Sequence, residues 1–189
     1  AGLKYFFKKK KYLRILEIGT YDGKFANFLS KVYPDSEIYT LDLPTNDTKF
    51  KSTYNRNYKE IFLNFIDQRD QYLSRDNIKF IEMDSINIQD YFYEKKFDLI
   101  WVDGDHLSPQ VIFDIVNSIN LLNKKSVICV DDIIISNKYL KRVKNCSNES
   151  FKALDLLEKK NIIKNYYFLK RIKKSNSMNK KFISLSIKN

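Results

Sequence analysis

The sequence predicts an α/β fold: a doubly wound, mostly parallel sheet in three layers, helix on sheet on helix, closed by an antiparallel C-terminal hairpin. Three observations predict it. Five short apolar runs alternate with segments whose apolar residues recur at helical spacing. Parallel neighbours need crossover connections, and the intervening helices supply them. The chain then ends in two aromatic or β-branched runs with a polar segment between them, the pattern of a hairpin. No repeat or linker interrupts the 189 residues, so residues 1–189 read as one domain with length enough for a core.

The elements follow in order. Residues 13–18 (LRILEI) form a buried strand that stops at Gly19. Asp22 is placed to cap a helix carrying Phe25, Phe28, Leu29 and Val32, which Pro34 ends. Residues 37–43 (EIYTLDL) are a second strand, closed by Pro44, and the polar stretch 45–58 reads as loop. A helix over 59–73 carries Ile61, Phe62, Phe65, Ile66 and Tyr72. Strand three covers 78–83, with a short helix over 88–94, and strand four covers 97–102 (FDLIWV). Ser108 caps a helix with Pro109 in its first turn and Ile112, Ile115, Val116, Ile119 and Leu122 on one face. Strand five covers 126–130 (SVICV), and a helix over 149–159 follows. The hairpin strands are 165–169 and 182–187, with the polar segment 173–181 between them.

Charge is distributed unevenly. Six basic and no acidic residues lie in 1–16, and ten basic and no acidic residues lie in 159–189, so the +11 chain is a basic frame around a mildly acidic body. A basic balance points to nucleic acid or an anionic surface. On the predicted fold, however, both basic ends face away from the ligand edge. Composition excludes disorder, and no apolar run approaches the ~20 residues of a membrane span. No apolar stretch of signal-peptide type precedes strand one. Cys129 and Cys146 have no metal-type spacing and read as reduced thiols of a cytoplasmic protein.

Ligands of doubly wound sheets bind beyond the carboxyl ends of the strands. Strand one runs into Gly19-Thr20-Tyr21-Asp22-Gly23, two of only four glycines. By itself this is an ordinary tight turn or a ligand loop. Asp42 stands nineteen residues after Gly23, the spacing of an acid that accepts hydrogen bonds from ribose, and the pair tips the reading toward an adenosine-containing ligand. Asp84-Ser85 either meets an adenine edge or caps the next helix. Strand four ends in Asp103-Gly104-Asp105-His106 and strand five in Asp131-Asp132. Carboxylates gathered so densely raise one another's pKa unless a cation is present, and a hard divalent ion would resolve the conflict. The plainer alternative is that most of them cap helices. His106, the only histidine, is either structural or a base.

Taken together, these residues resemble the class I S-adenosylmethionine-dependent methyltransferases, from residue 13 to the terminal hairpin, and within them the small metal-dependent O-methyltransferases. The resemblance implies a Rossmann-like sheet with an antiparallel seventh strand. It implies S-adenosyl-L-methionine as cofactor, with Glu17, Gly19, Thr20, Tyr21 and Gly23 at its methionine part and Asp42 on the ribose. Asp84 and Ser85 would lie at the adenine, and Leu43 and Asp103 would complete the cofactor set. Asp103, Asp131 and Asp132 would bind Mg²⁺ or another divalent cation. His106 stands three residues after Asp103, where those enzymes often carry a lysine base, so Asp103 and His106 become the catalytic pair. The D-G-D-H form resembles bacterial methyltransferases of sugars and other natural products.

The expected reaction is methyl transfer to a hydroxyl of a small-molecule acceptor. The 54–72 region would supply a lid or acceptor wall. Little chain precedes strand one, where such enzymes place substrate-covering helices, so a second subunit could complete the lid and a homo-oligomer is left open. Two rivals remain: an RNA or other macromolecular acceptor, motivated by the basic ends, and a non-catalytic Rossmann-like binding module. A nicotinamide enzyme is weaker, because the dinucleotide loop needs closer glycine spacing.

Overall fold

The computed structural model describes residue 3 and residues 6–135, 148–174 and 178–189, with backbone alone for 171–174 and 178–180. Its strands are β1 Arg14–Ile18, β2 Glu37–Asp42, β3 Ile78–Glu82, β4 Phe97–Val102, β5 Leu122–Ile133, β6 Ile163–Lys174 and β7 Met178–Lys188. Its helices are α1 Lys24–Val32, α2 Thr48–Ser52, α3 Lys59–Leu73, α4 Ile88–Tyr91, α5 Gln110–Leu121 and α6 Glu149–Lys159, with 3₁₀ turns at Thr53–Asn55 and Ser85–Asn87. The seven strands form a Rossmann-like, mostly parallel sheet in the order β3-β2-β1-β4-β5-β7-β6. The chain divides into two compact units, Ala1–Ser85 and Ile86–Asn189.

In the first unit β1 pairs with β2 and β2 with β3, all parallel. Leu13, Ile15, Leu16, Ile38 and Leu41 are buried, as expected for parallel strands covered on both faces. Helix α1 buries Ala26, Asn27, Leu29 and Ser30, whereas Phe28 is 56% exposed, so the expected Phe25/Phe28 face is rotated. The buried polar groups account for the rotation: Asn27 Nδ2 donates to Tyr72 O at 2.8 Å and Ser30 Oγ donates to Asn77 Oδ1 at 2.5 Å. Asp22 does not occupy the cap position, which Gly23 takes at φ +76°, although Asp22 Oδ1 accepts the Lys24 N–H at 3.1 Å. The stretch read as loop contains α2, capped by Asp47, whose Oδ1 accepts from Lys49 N at 2.7 Å and Phe50 N at 3.1 Å. Phe50 is buried and anchors that helix.

In the second unit β4 pairs parallel with β5, while β5–β7 and β7–β6 are antiparallel. Ser108 does not cap α5: the helix starts at Gln110 after Pro109, and its first N–H groups bond to Leu107 O and Pro109 O. The buried stripe of α5 is Val111, Ile115, Ser118 and Ile119, and Val116 is exposed. β5 is twelve residues long, reaching past the apolar run at both ends. The hairpin is longer as well, pairing as far as Lys174↔Met178 through most of the polar segment. Ladder hydrogen bonds are made by backbone, so a solvated strand can be polar throughout. Cys129 is a buried thiol, pushed up by burial, and Cys146 lies outside the described residues. Among the described residues no helix is long and apolar enough to cross a membrane.

Candidate functional site

In the first unit, β1 ends against a loop of alternating left-handed residues: Gly19 at φ +99°, Tyr21 at +48° and Gly23 at +76°. Gly19 N and Thr20 N both donate to Leu41 O, at 2.9 and 3.1 Å, which ties the loop to the end of β2. At Gly23 a side chain is strained by φ and crowded besides, since an added Cβ would stand 3.0 Å from Leu73 Cδ2 and 3.2 Å from Arg69 O. Under the loop runs a buried polar chain. Thr40 Oγ1 donates to Glu17 Oε2 at 2.5 Å, so its single proton is committed and Thr20 Oγ1 is the donor across the 2.6 Å contact to Thr40. Glu17 and Thr20 therefore brace the loop from beneath.

Asp42 terminates β2 and turns both carboxylate oxygens to main chain, Oδ2 to Tyr21 N at 2.9 Å and Oδ1 to Leu43 N at 2.8 Å. Burial raises its pKa, against those two N–H groups and the positive charges of Arg56 and Arg69. Each oxygen keeps a lone pair for a further donor, which suits the hydroxyls of a ribose. Asp84 and Ser85 stand where β3 passes into the Ser85–Asn87 turn, Asp84 exposed and Ser85 buried.

One residue of this region escapes sequence reasoning. Arg56, in the stretch read as polar loop, is only 6% exposed. Its guanidinium lies 3.9 Å from the Phe50 ring centre, 4.7 Å from Phe65 and 5.4 Å from Tyr54. Nε donates to Thr53 O at 3.1 Å, and Nη1 is buried with no hydrogen-bond partner. Tyr21, half exposed, lies 5.0 Å from Tyr54 and 5.6 Å from Phe65, so aromatic rings flank the glycine loop. The alternation of Phe50, Tyr54 and Phe65 with Arg56 is the only trace of this cluster in the sequence. A polar hollow of about 320 Å³, lined by Pro34, Ser74, Arg75, Asp76 and Asn77, lies at the amino end of β3, away from this loop.

In the second unit, Asp103 and His106 follow β4, and Asp131 and Asp132 end β5. His106 Nε2 is 3.6 Å from Asp103 Oδ1. Burial lowers the pKa of His106 against the nearby carboxylates, leaving a neutral imidazole at neutral pH. Asp103 is pushed up to about 8 by burial and by the charges of Asp131 and Asp132, with Lys170 acting the other way. Although 38% of its side chain meets solvent, the adjoining carboxylates are sufficient cause for that direction.

Asp131 and Asp132 come together because β5 is bulged. Its pairing with β7 shifts register between Val130 and Ile133, and Asp132 adopts φ +51°. In a regular strand consecutive side chains point to opposite faces; the bulge lets both acids reach partners on the hairpin, one of them shared. Those partners are lysines. Lys170 Nζ bonds Asp131 Oδ2 and lies 3.2 Å from Asp132 Oδ1, and Lys181 Nζ bonds Asp132 Oδ2. Burial acts to raise the Asp132 pKa, but the hydrogen bonds and charges of Lys181 and Lys170 outweigh it and hold it low. Burial likewise acts to lower Lys170, and Asp131 and Asp132 raise it overall.

The expectation that the C-terminal basic residues face away from the ligand edge is therefore corrected for Lys170 and Lys181. The metal reading meets the same fact. Asp103, Asp131 and Asp132 are the right donor type for a hard ion, but as arranged they do not fit one, because two ammonium groups already take the ligand oxygens of Asp131 and Asp132. Among the described residues no three His, Cys, Asp or Glu side chains are assembled to hold a metal.

A family model described as a methyltransferase domain matches residues 16–133. No curated protein matches the sequence. Solved structures do match the fold. The O-methyltransferase TomG of Streptomyces achromogenes, involved in tomaymycin synthesis and bound to S-adenosylmethionine, has a TM-score of 0.68 at 14% identity, over 99% of this chain and 78% of that one. An O-methyltransferase of Bacillus cereus in complex with S-adenosylhomocysteine has a TM-score of 0.65 at 16% identity, over 99% and 79%. An rRNA methylase of Streptococcus thermophilus has a TM-score of 0.61 at 11% identity, over 99% and 94%. With the family model covering well over half of its length, the chain belongs to the methyltransferase-domain family, among the class I S-adenosylmethionine-dependent methyltransferases.

Proposed function

We propose that residues 1–189 act as one methyltransferase domain that methylates a hydroxyl oxygen of a small molecule or sugar. The observation that carries the cofactor side is the Gly19–Gly23 loop locked to Asp42 through the Tyr21 N–H. In this reading Asp42 takes the ribose hydroxyls, and Asp84 and Ser85 border the adenine. The loop from Glu17 to Gly23 receives the methionine part, and Leu43 and Asp103 complete the cofactor set. S-adenosylmethionine, when bound, supplies a methyl group already activated by its sulfonium.

What remains for the chain is to orient the acceptor and take its proton. His106 suits the second task, because an imidazole kept neutral by burial has a lone pair for the hydroxyl hydrogen. Asp103, with Oδ1 3.6 Å from Nε2, becomes its ion-pair partner when the ring takes up the proton. The divalent ion expected from the sequence has no part in this scheme, given the lysines on Asp131 and Asp132. The O-methyltransferase neighbours support the acceptor type.

Calorimetry with S-adenosylmethionine and S-adenosylhomocysteine tests the proposal, followed by S-adenosylhomocysteine release on a panel of hydroxylated acceptors. Absence of binding to either ligand would sink it and leave a non-catalytic binding module. An RNA acceptor is the second reading, favoured by the ten basic and no acidic residues of 159–189.

A further inference from the structure

We propose that Lys170 and Lys181 permanently take the place of the divalent cation that the acidic strand ends call for, so that this edge works without a metal. Three observations carry the inference. The first is position: Lys170 Nζ is within reach of a carboxylate oxygen on each of Asp131 and Asp132, the bridging place a shared cation would take. The second is charge: two ammonium groups meet two carboxylates, so the pair is neutralised without any added ion.

The third is construction. β5 is bulged between Val130 and Ile133, and β6 is bulged between Leu169 and Arg171, with Lys170 as the extra residue. The two irregularities lie across β7 from each other, since Phe182 pairs with Ile133 on one side and Leu169 on the other. Bulges re-aim side chains, and here one aims the acids and the other aims Lys170. A metal entering the cluster would have to displace Lys170 and Lys181 from Asp131 and Asp132, breaking all three of these ion pairs.

The metal-binding part of this proposal is independent of the methyltransferase reading, while its activity part rests on that reading. Binding is tested with Mn²⁺ alone, followed by the paramagnetic resonance of the free ion over the full-length protein. The wild type is expected to leave millimolar Mn²⁺ free. The Lys170→Met/Lys181→Met variant, folded by circular dichroism, is expected to gain Mn²⁺ affinity by about tenfold or more. Lys181→Met alone, which keeps the Lys170 pairs, serves if the double variant does not fold, and is expected to gain less. Tight Mn²⁺ binding by the wild type that Asp131→Asn removes would overturn the proposal, as would a folded double variant with no gain. In the activity arm, turnover should persist in excess chelator, and loss of turnover restored by Mg²⁺ would overturn it. Failure to bind S-adenosylmethionine would strike only the methyltransferase reading, because the Mn²⁺ result needs no cofactor.

Discussion

At the scale of single residues, Gly23 and Asp42 define the cofactor loop. Gly23→Ala adds a Cβ at 3.0 Å from Leu73 Cδ2 in a backbone conformation that L-residues avoid. The left-handed conformation alone costs about 1–2 kcal/mol, so urea denaturation should show at least that loss. Asp42→Asn keeps the shape and removes the charge that faces Tyr21 N and Leu43 N. Hydrogen bonds to charged groups contribute roughly 1.5–3 kcal/mol, so affinity for S-adenosylmethionine should fall about tenfold or more by calorimetry. His106→Gln should separate the roles, lowering kcat by roughly 10²-fold or more while cofactor affinity stays near wild type. If cofactor affinity falls as much as kcat, His106 is a binding residue and not the base.

At the scale of elements, Glu37 joins the three strands of the first unit. Its carboxylate accepts from Lys79 Nζ at 2.7 Å on β3, and from Tyr12 OH at 2.6 Å and Arg14 Nε at 3.1 Å beside and on β1. Hydrogen bonds from Lys79 and Tyr12 lead in holding its pKa down to about 2, against burial. A folded pKa below the unfolded value of about 4.3 means that the contribution is complete above that pH and is lost as pH falls toward 2. Acid titrations of stability should therefore show a steeper limb between those values in the wild type than in Glu37→Gln.

Elements bounded by sharp chemical changes are legible in the sequence to the residue. Phe97–Val102 is one, an apolar run cut off by Asp103. The hairpin is legible in kind but not in length, because its polar half is held by ladder hydrogen bonds that leave no hydrophobic pattern. The glycine loop and Asp42 could be read because their spacing is local. The lysine–aspartate cluster could not, because it depends on two bulges and on pairing between strands some forty residues apart, Lys170 with Asp131 among them.

At the scale of the whole molecule, the net charge of +11 is not one uniform property. Part of it is consumed internally, where Lys170 and Lys181 neutralise Asp131 and Asp132. If the acceptor is a small molecule, turnover should change little with ionic strength. If it is RNA, binding should weaken with salt at a log–log slope of about −0.7 per neutralised phosphate. Filter binding across a salt series distinguishes the two acceptor classes.

The bulged hairpin has one more consequence. A dissolved cation exchanges with its surroundings, so its occupancy follows supply, competing ions and chelators. An ammonium group carried on a paired strand is tethered, and its effective concentration at the acids is set by the chain and not by the medium. The C-terminal hairpin of this protein thus acts as a covalent counterion, always present at fixed stoichiometry and inseparable from folding itself.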